Sequence, residues 1–175
     1  MVEIRKAVAS DAENILEYCK AVGAKSDNLT FGAEGVSMTP EKERNYLESI
    51  QRSNRQLYLV AVDNDEIVGT AVLSSYEKAR LSHRSEISIS VKKAMWGKHI
   101  GTRFMEHLID FAENTAGTEI ISLEVRSDNE RAIALYKRFG FEKVGTFEGF
   151  MKINGKDVSC DIMRLSLHTT KITNQ

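Results

Sequence analysis

Residues 87–104 read ISISVKKAMWGKHIGTRF, and the change of character along this stretch decides the fold. Its first half alternates and is β-branched. Ile87, Ile89 and Val91 fall on one side of a strand over 85–91, and Glu86, Ser88 and Ser90 on the other. Its second half opens a helix, expected from about Lys98 to Ala116, with Ile100, Phe104, Leu108 and Phe111 as the buried stripe. Gly97 and Gly101 flank the entry. Without bulky side chains there, backbone N–H groups can approach a ligand, and the first turn of a helix leaves such donors unpaired beneath a partial positive charge. The pattern suits an anion, and phosphate in particular, with Lys92, Lys93, Lys98 and His99 adding positive potential. The competing reading is a plain strand-to-helix turn with a solvated basic rim. The stretch has neither the glycine run and GK[ST] ending of a P-loop nor the third glycine of a dinucleotide fingerprint.

A second strand–helix pair follows. EIISLEV (119–125) reads as a strand, and Asn129 opens the helix NERAIALYKRF, closed at Gly140. Asn129 and Tyr136 are seven residues apart and so share a helix face. A phenol there can give a proton to a leaving group. The plainer alternatives are that Asn129 only caps its helix and Tyr136 is a core aromatic. On strand 85–91 Glu86 is a candidate general base, or else a surface edge residue, and His83 and Arg84 could hold an anion or lie in a solvated turn.

Working outward, VEIRKA (2–7) is a short strand, and Ser10 with Glu13 has the spacing of a capping box for a helix to Val22, stopped by Gly23. Residues 24–38 have no period and suit a functional loop in which Phe31, Glu34 and Met38 face an acceptor. Pro40 opens a second helix with Tyr46, Leu47 and Ile50 as its apolar contacts. QLYLVAVD and IVGTAVLSSY form a hairpin across DNDE, and a long terminal hairpin turns at Asn154-Gly155. The order β-α-α-β-β-β-α-β-α-β-β gives a mixed α/β sheet in one domain over 1–168, with a tail over 169–175.

Composition narrows the class further. A chain of 175 residues suits one core. Its 24 basic against 25 acidic residues argue against a dominant nucleic-acid field and a nucleic-acid partner, and leave open only a local basic groove. Two distant cysteines, Cys19 and Cys160, point to a reducing cytoplasm and to inert buried thiols rather than a disulfide or a nucleophile. Four histidines without paired cysteines leave no expected metal site. No apolar run approaches bilayer length, and the N-terminal stretch does not read as a secretory signal. The terminal hairpin leaves an edge on which a homodimer is expected.

Together these segments resemble the GNAT superfamily of acyl-CoA-dependent N-acyltransferases. The resemblance rests on ISVKKAMWGKHIGTRFMEHLIDFA and LEVRSDNERAIALYKRFGFEKVGTF. The first follows the family's cofactor-pyrophosphate signature: glutamine or arginine, two residues, glycine, one residue, glycine or alanine. Trp96 departs from it at the first position and His99 at the middle glycine. The resemblance implies a mostly antiparallel sheet with helices on both faces. It also implies acetyl-CoA as co-substrate, lying between strands 85–91 and 119–125 where they part. Its pantetheine arm would bond backbone near Ile89 and Val91. The pyrophosphate would sit over Gly97, Lys98, His99, Gly101 and Thr102, and Asn129 would bond the pantetheine side. An N–H near Val91 would hold the oxyanion, Tyr136 would protonate the leaving thiolate, and Glu86 would take the amine's proton. The implied reaction is direct acetyl transfer to the primary amine of a small molecule, in a pocket closed by loop 24–38 and the 150–158 turn. The alternatives are a peptide or protein amine, or an acyl-CoA-binding module without turnover.

Overall fold

The period-two runs and the wider apolar stripes assemble into one seven-stranded sheet in a computed structural model, which describes residues 1–167. The elements are β1 (Glu3–Lys6), α1 (Ala12–Gly23), α2 (Pro40–Gln51), β2 (Gln56–Asp63), β3 (Glu66–Ser75), β4 (Arg84–Val91), α3 (Ile100–Phe111), β5 (Ile120–Arg126), α4 (Glu130–Arg138), β6 (Glu142–Ile153) and β7 (Lys156–Ser166). This is the order expected from sequence. The expected tail over 169–175 lies outside the described residues. Across the sheet the order is β1-β2-β3-β4-β5-β7-β6, and only β4 and β5 run parallel. Asn64 and Asp65, both with positive φ, make the tight turn between β2 and β3, and Asn154-Gly155 does the same between β6 and β7.

Two cores sandwich the sheet. Phe104 and Leu108 of α3 and Tyr136 of α4 pack on Leu73, Ile121, Leu123 and Met163 on one face. Ile15 and Tyr18 of α1 and Leu47 and Ile50 of α2 pack on Tyr58 and Val60 on the other. The second layer covers β1 to β3 and leaves that face of β4 and β5 open to the cavity described below.

Two local expectations are corrected. The Ser10–Glu13 capping box does not form. Asp11 takes the role: its Oδ2 accepts the Val8 N–H at 2.8 Å, and its two oxygens hold Arg5 at 2.7 and 2.8 Å. An ionised carboxylate braced by a guanidinium is a stronger acceptor than a serine hydroxyl. Glu13 instead faces outward and pairs with Arg44 of α2. The helix expected over 98–116 is shorter, because His99 is left-handed (φ 59°) and helical geometry begins only at Ile100. At its far end the chain widens into a single π-type turn over Ala112–Ala116, closed by the Thr118 N–H on the Ala112 carbonyl at 2.9 Å.

Phe104 is wholly buried between α3 and the sheet. Phe104→Ala is expected to lower unfolding free energy by about 3–5 kcal/mol, read from the midpoint of a urea or guanidinium titration; a loss under about 1 kcal/mol would mean that the α3–sheet core is not as described.

Candidate active site

The site begins with a pairing that stops early. β4 and β5 are in register only over Arg84–Glu86 and Ile120–Ser122, yet β4 continues to Val91 and β5 to Arg126. Each strand keeps its outer partner to the end: Val91 pairs with Gly69, and Arg126 with Cys160. The two therefore part without losing those ladders. The Tyr76 N–H bonds to the Arg84 carbonyl and the Lys92 N–H to the Val68 carbonyl, so the even-numbered residues of β4 face β3. In an antiparallel pair the bonding direction alternates, which turns the N–H and C=O of Ile87, Ile89 and Val91 toward the gap.

The gap opens into a cavity of about 800 Å³. At its outer end the chain turns through Gly97 (φ 83°) and His99 (φ 59°) into α3. The Arg103 N–H is the first to close a helical bond, on the His99 carbonyl at 3.0 Å, so the N–H groups of Ile100, Gly101 and Thr102 have no helical acceptor. The left-handed backbone at 99 explains why the signature has glycine there. Histidine adopts the same conformation at a cost of roughly 1–2 kcal/mol. Gly101 serves packing as well, since a Cβ there would meet Leu135 of α4 at 3.0 Å.

The cavity gathers Glu86, Ile89, Val91, Gly97, His99, Gly101, Thr102, Asn129 and Tyr136. Lys98 is the one residue of the expected set that does not line it, and its Nζ lies 3.5 Å from the Met95 sulfur. Lys92 is paired with Glu66. The Asn129 Oδ1 caps α4 by accepting the Ala132 N–H at 3.2 Å. Tyr136 is buried beside Phe141, ring centroids 5.8 Å apart, and burial alone pushes its phenol up to about 12. It holds its proton throughout the neutral range. Both cysteines are buried, and burial raises their thiols, Cys19 to about 11.

The inner end is acidic. Glu86 accepts the Tyr76 hydroxyl. A second carboxylate, not among the residues expected from sequence, lines the same cavity: Glu124 of β5. Ile121, Leu123 and Val125 are buried against α3 and α4, so period-two alternation puts Ser122 and Glu124 on the face that carries Glu86. That alternation was the available signal. Burial first, and then the charge of Glu86, hold the Glu124 carboxyl above the usual carboxylate range.

The loop between α1 and α2 roofs this end with Asn28, Leu29, Phe31 and Val36. Glu34, expected to face the acceptor, is instead exposed and accepts the Gly32 N–H at 2.8 Å, and Met38 does not line the cavity. The loop is pinned twice. A Cβ on Gly23 would fall 2.0 Å from the Gly32 carbonyl oxygen, and Arg126, forked onto Asp128 at 2.6 and 2.9 Å, donates to the Asp27 carbonyl at 3.2 Å. Phe150 and Met151 of β6 also line the cavity. His83 and Arg84 lie outside it. The His83 carbonyl accepts from Glu119 and Ile120, and the Arg84 guanidinium lies over the Tyr76 ring. Among the described residues no cluster of His, Cys, Asp or Glu is placed to hold a metal.

A seven-stranded sheet that splits between its two parallel strands, over a helix mouth with free N–H donors, defines the class. Residues 15–141 match the model of the Acetyltransferase (GNAT) family, and the chain belongs to that family. It is 33% identical over 100 residues to the N-alpha-acetyltransferase RimI of Mycobacterium tuberculosis, covering 57% of this chain and 61% of that one. It is 30% identical over 105 residues to the L-amino acid N-acetyltransferase AaaT of Escherichia coli, covering 60% and 65%. The matches thus span about three fifths of each relative's length. Among solved structures, yncA of Salmonella typhimurium, determined with its cofactor acetyl-CoA, superposes with a TM-score of 0.81 at 21% identity over 95% of this chain and 94% of that one.

The Glu124 carboxyl binds its proton more tightly in the folded protein than in the unfolded chain, so its contribution to stability is complete at low pH and is lost as pH rises past the ordinary carboxylate range. Glu124→Gln is therefore expected to raise Tm, by more at pH 7.5 than at pH 4. A gain that is equal at both pH values, or larger at pH 4, would contradict the environment described for this side chain.

Proposed function

We propose that this chain transfers an acetyl group from acetyl-CoA to the primary amine of a small molecule, by direct attack within a ternary complex. The observation that carries this reading is the continuous path along the gap. It runs from unpaired N–H donors at the mouth of α3, past the free edge of β4, to a buried phenol on one side and two carboxylates on the other. The donors suit a pyrophosphate. The Val91 N–H and the Ile89 carbonyl suit the amides of a pantetheine arm, which would join β4 as an added strand.

Bound acetyl-CoA supplies a thioester carbonyl for the amine to attack. The Ile89 N–H, the next donor inward on the same free edge, faces the gap and donates to the oxygen as negative charge develops there. The Tyr136 hydroxyl gives its proton to the sulfur as the carbon–sulfur bond breaks. The amine must lose a proton to become and remain neutral, and Glu124 takes it. Its raised affinity for protons fits that task better than Glu86, whose carboxylate is already engaged by Tyr76. Glu86 acts through its charge, which draws in the cationic acceptor and raises Glu124. The buried cysteines offer no activated thiolate for an acyl-enzyme.

The roof formed by the α1–α2 loop, together with Phe150 and Met151, favours a small acceptor over a protein chain. A panel of amines, amino acids and short peptides, assayed with acetyl-CoA by release of free thiol, tests this. Acetylation of small amines is expected, and activity confined to peptides would overturn the choice of acceptor. With the best acceptor, Tyr136→Phe is expected to lower kcat by about 10²-fold with little change in coenzyme A affinity. Glu124→Gln is expected to cost more than Glu86→Gln, and the reverse order would move the base to Glu86.

A further inference from the structure

Trp96 is the only tryptophan of the chain, and it is 40% exposed. It stands where the family signature has glutamine or arginine, at the seam between the main cavity and a smaller groove of about 430 Å³. Three contacts hold it there. Its indole N–H donates to the Val91 carbonyl at 3.0 Å. The Arg131 guanidinium carbon lies 4.8 Å from the ring centroid, and the Lys93 Nζ lies 6.0 Å from it.

The acceptor of that hydrogen bond matters. The Val91 carbonyl is one of the groups that β4 turns into the gap. With it occupied, Val91 offers only its N–H, and the next free carbonyl inward belongs to Ile89. An amide chain entering the gap from the mouth of α3 then finds its first donor–acceptor pair on β4 in the Val91 N–H and the Ile89 carbonyl: it accepts from the first and donates to the second. The register displaced outward by two residues, about 7 Å along a strand, is closed.

Resting on the acetyl-CoA reading above, we propose that Trp96 is a positioning residue for that substrate. The indole N–H takes over from the signature's side-chain donor, closes the outward register, and so sets how far the thioester reaches toward Tyr136. The stacked ring also holds Arg131 at the mouth, where its charge meets the cofactor's phosphates.

The test uses the full chain with coenzyme A as probe, followed by calorimetry and by Trp96 emission. Saturable change in emission with the same Kd as the calorimetric one is expected for the wild type. Trp96→Phe, which keeps an aromatic ring and loses the donor, is expected to weaken binding roughly tenfold. Trp96→Gln, which restores the signature's donor, is expected to recover most of that loss. A purely structural role would not be rescued by the smaller polar side chain. Calorimetric binding without an emission change, or Trp96→Phe and Trp96→Gln binding alike, would overturn the role of Trp96 alone. No calorimetric binding by the wild type would overturn the acetyl-CoA reading, and this inference with it.

Discussion

The structure depends on two strands that begin as partners and then separate. Over Arg84–Glu86 and Ile120–Ser122 they form a parallel ladder. Beyond it each is held by its antiparallel neighbour on the far side. Parallel pairing is the weaker kind, and it is the one given up. The separation leaves polar backbone facing a cavity rather than a partner strand, an arrangement that burial tolerates only where water or a ligand completes the bonding. Everything chemical about the site follows from where that gap points. One end meets the start of α3, and the other meets the open sheet face beside the α1–α2 loop.

Charge is distributed along this path rather than across the surface. The helix mouth supplies donors with no acidic residue in its first turn, while Glu86 and Glu124 occupy the inner end. The formal charge of the chain is only -1, so the polarity of the cleft arises from placement and not from composition. The phenol of Tyr136, shifted by burial, sits between the two ends on the helix side. The cleft thereby offers donors to an anion at one end and carboxylates to a cation at the other.

Much of this was legible in the residues. The alternation of 85–91, the stripe of α3, the Asn129 cap and the Asn-Gly turn each have a local cause, and each is where its pattern put it. The misreadings came from competition that spacing cannot weigh. Ser10 and Glu13 satisfied a capping template, but Asp11 had Arg5 opposite it across the turn, and that partner is visible only in three dimensions. Lys98 counted as local charge, yet its side chain turns toward Met95. Glu124 lies on a strand that alternates cleanly, but alternation alone does not pair it with Glu86. Its importance comes from standing diagonally across the gap from Glu86, a relation set by strand register. The bond from Trp96 to Val91 spans five residues across the 3-10 turn at Lys93–Met95, and no periodic pattern encodes it.

The double attachment of the α1–α2 loop has a mechanical consequence. Arg126 reaches the loop from the last position of β5, the strand of Glu124, and its fork onto Asp128 stiffens the short connection from there to the helix of Tyr136. Lifting the roof must either strip this guanidinium from the Asp27 carbonyl or tug the junction along with it. Opening of the inner end of the cavity is thus geared to the segment that places Glu124 and Tyr136, through a single side chain.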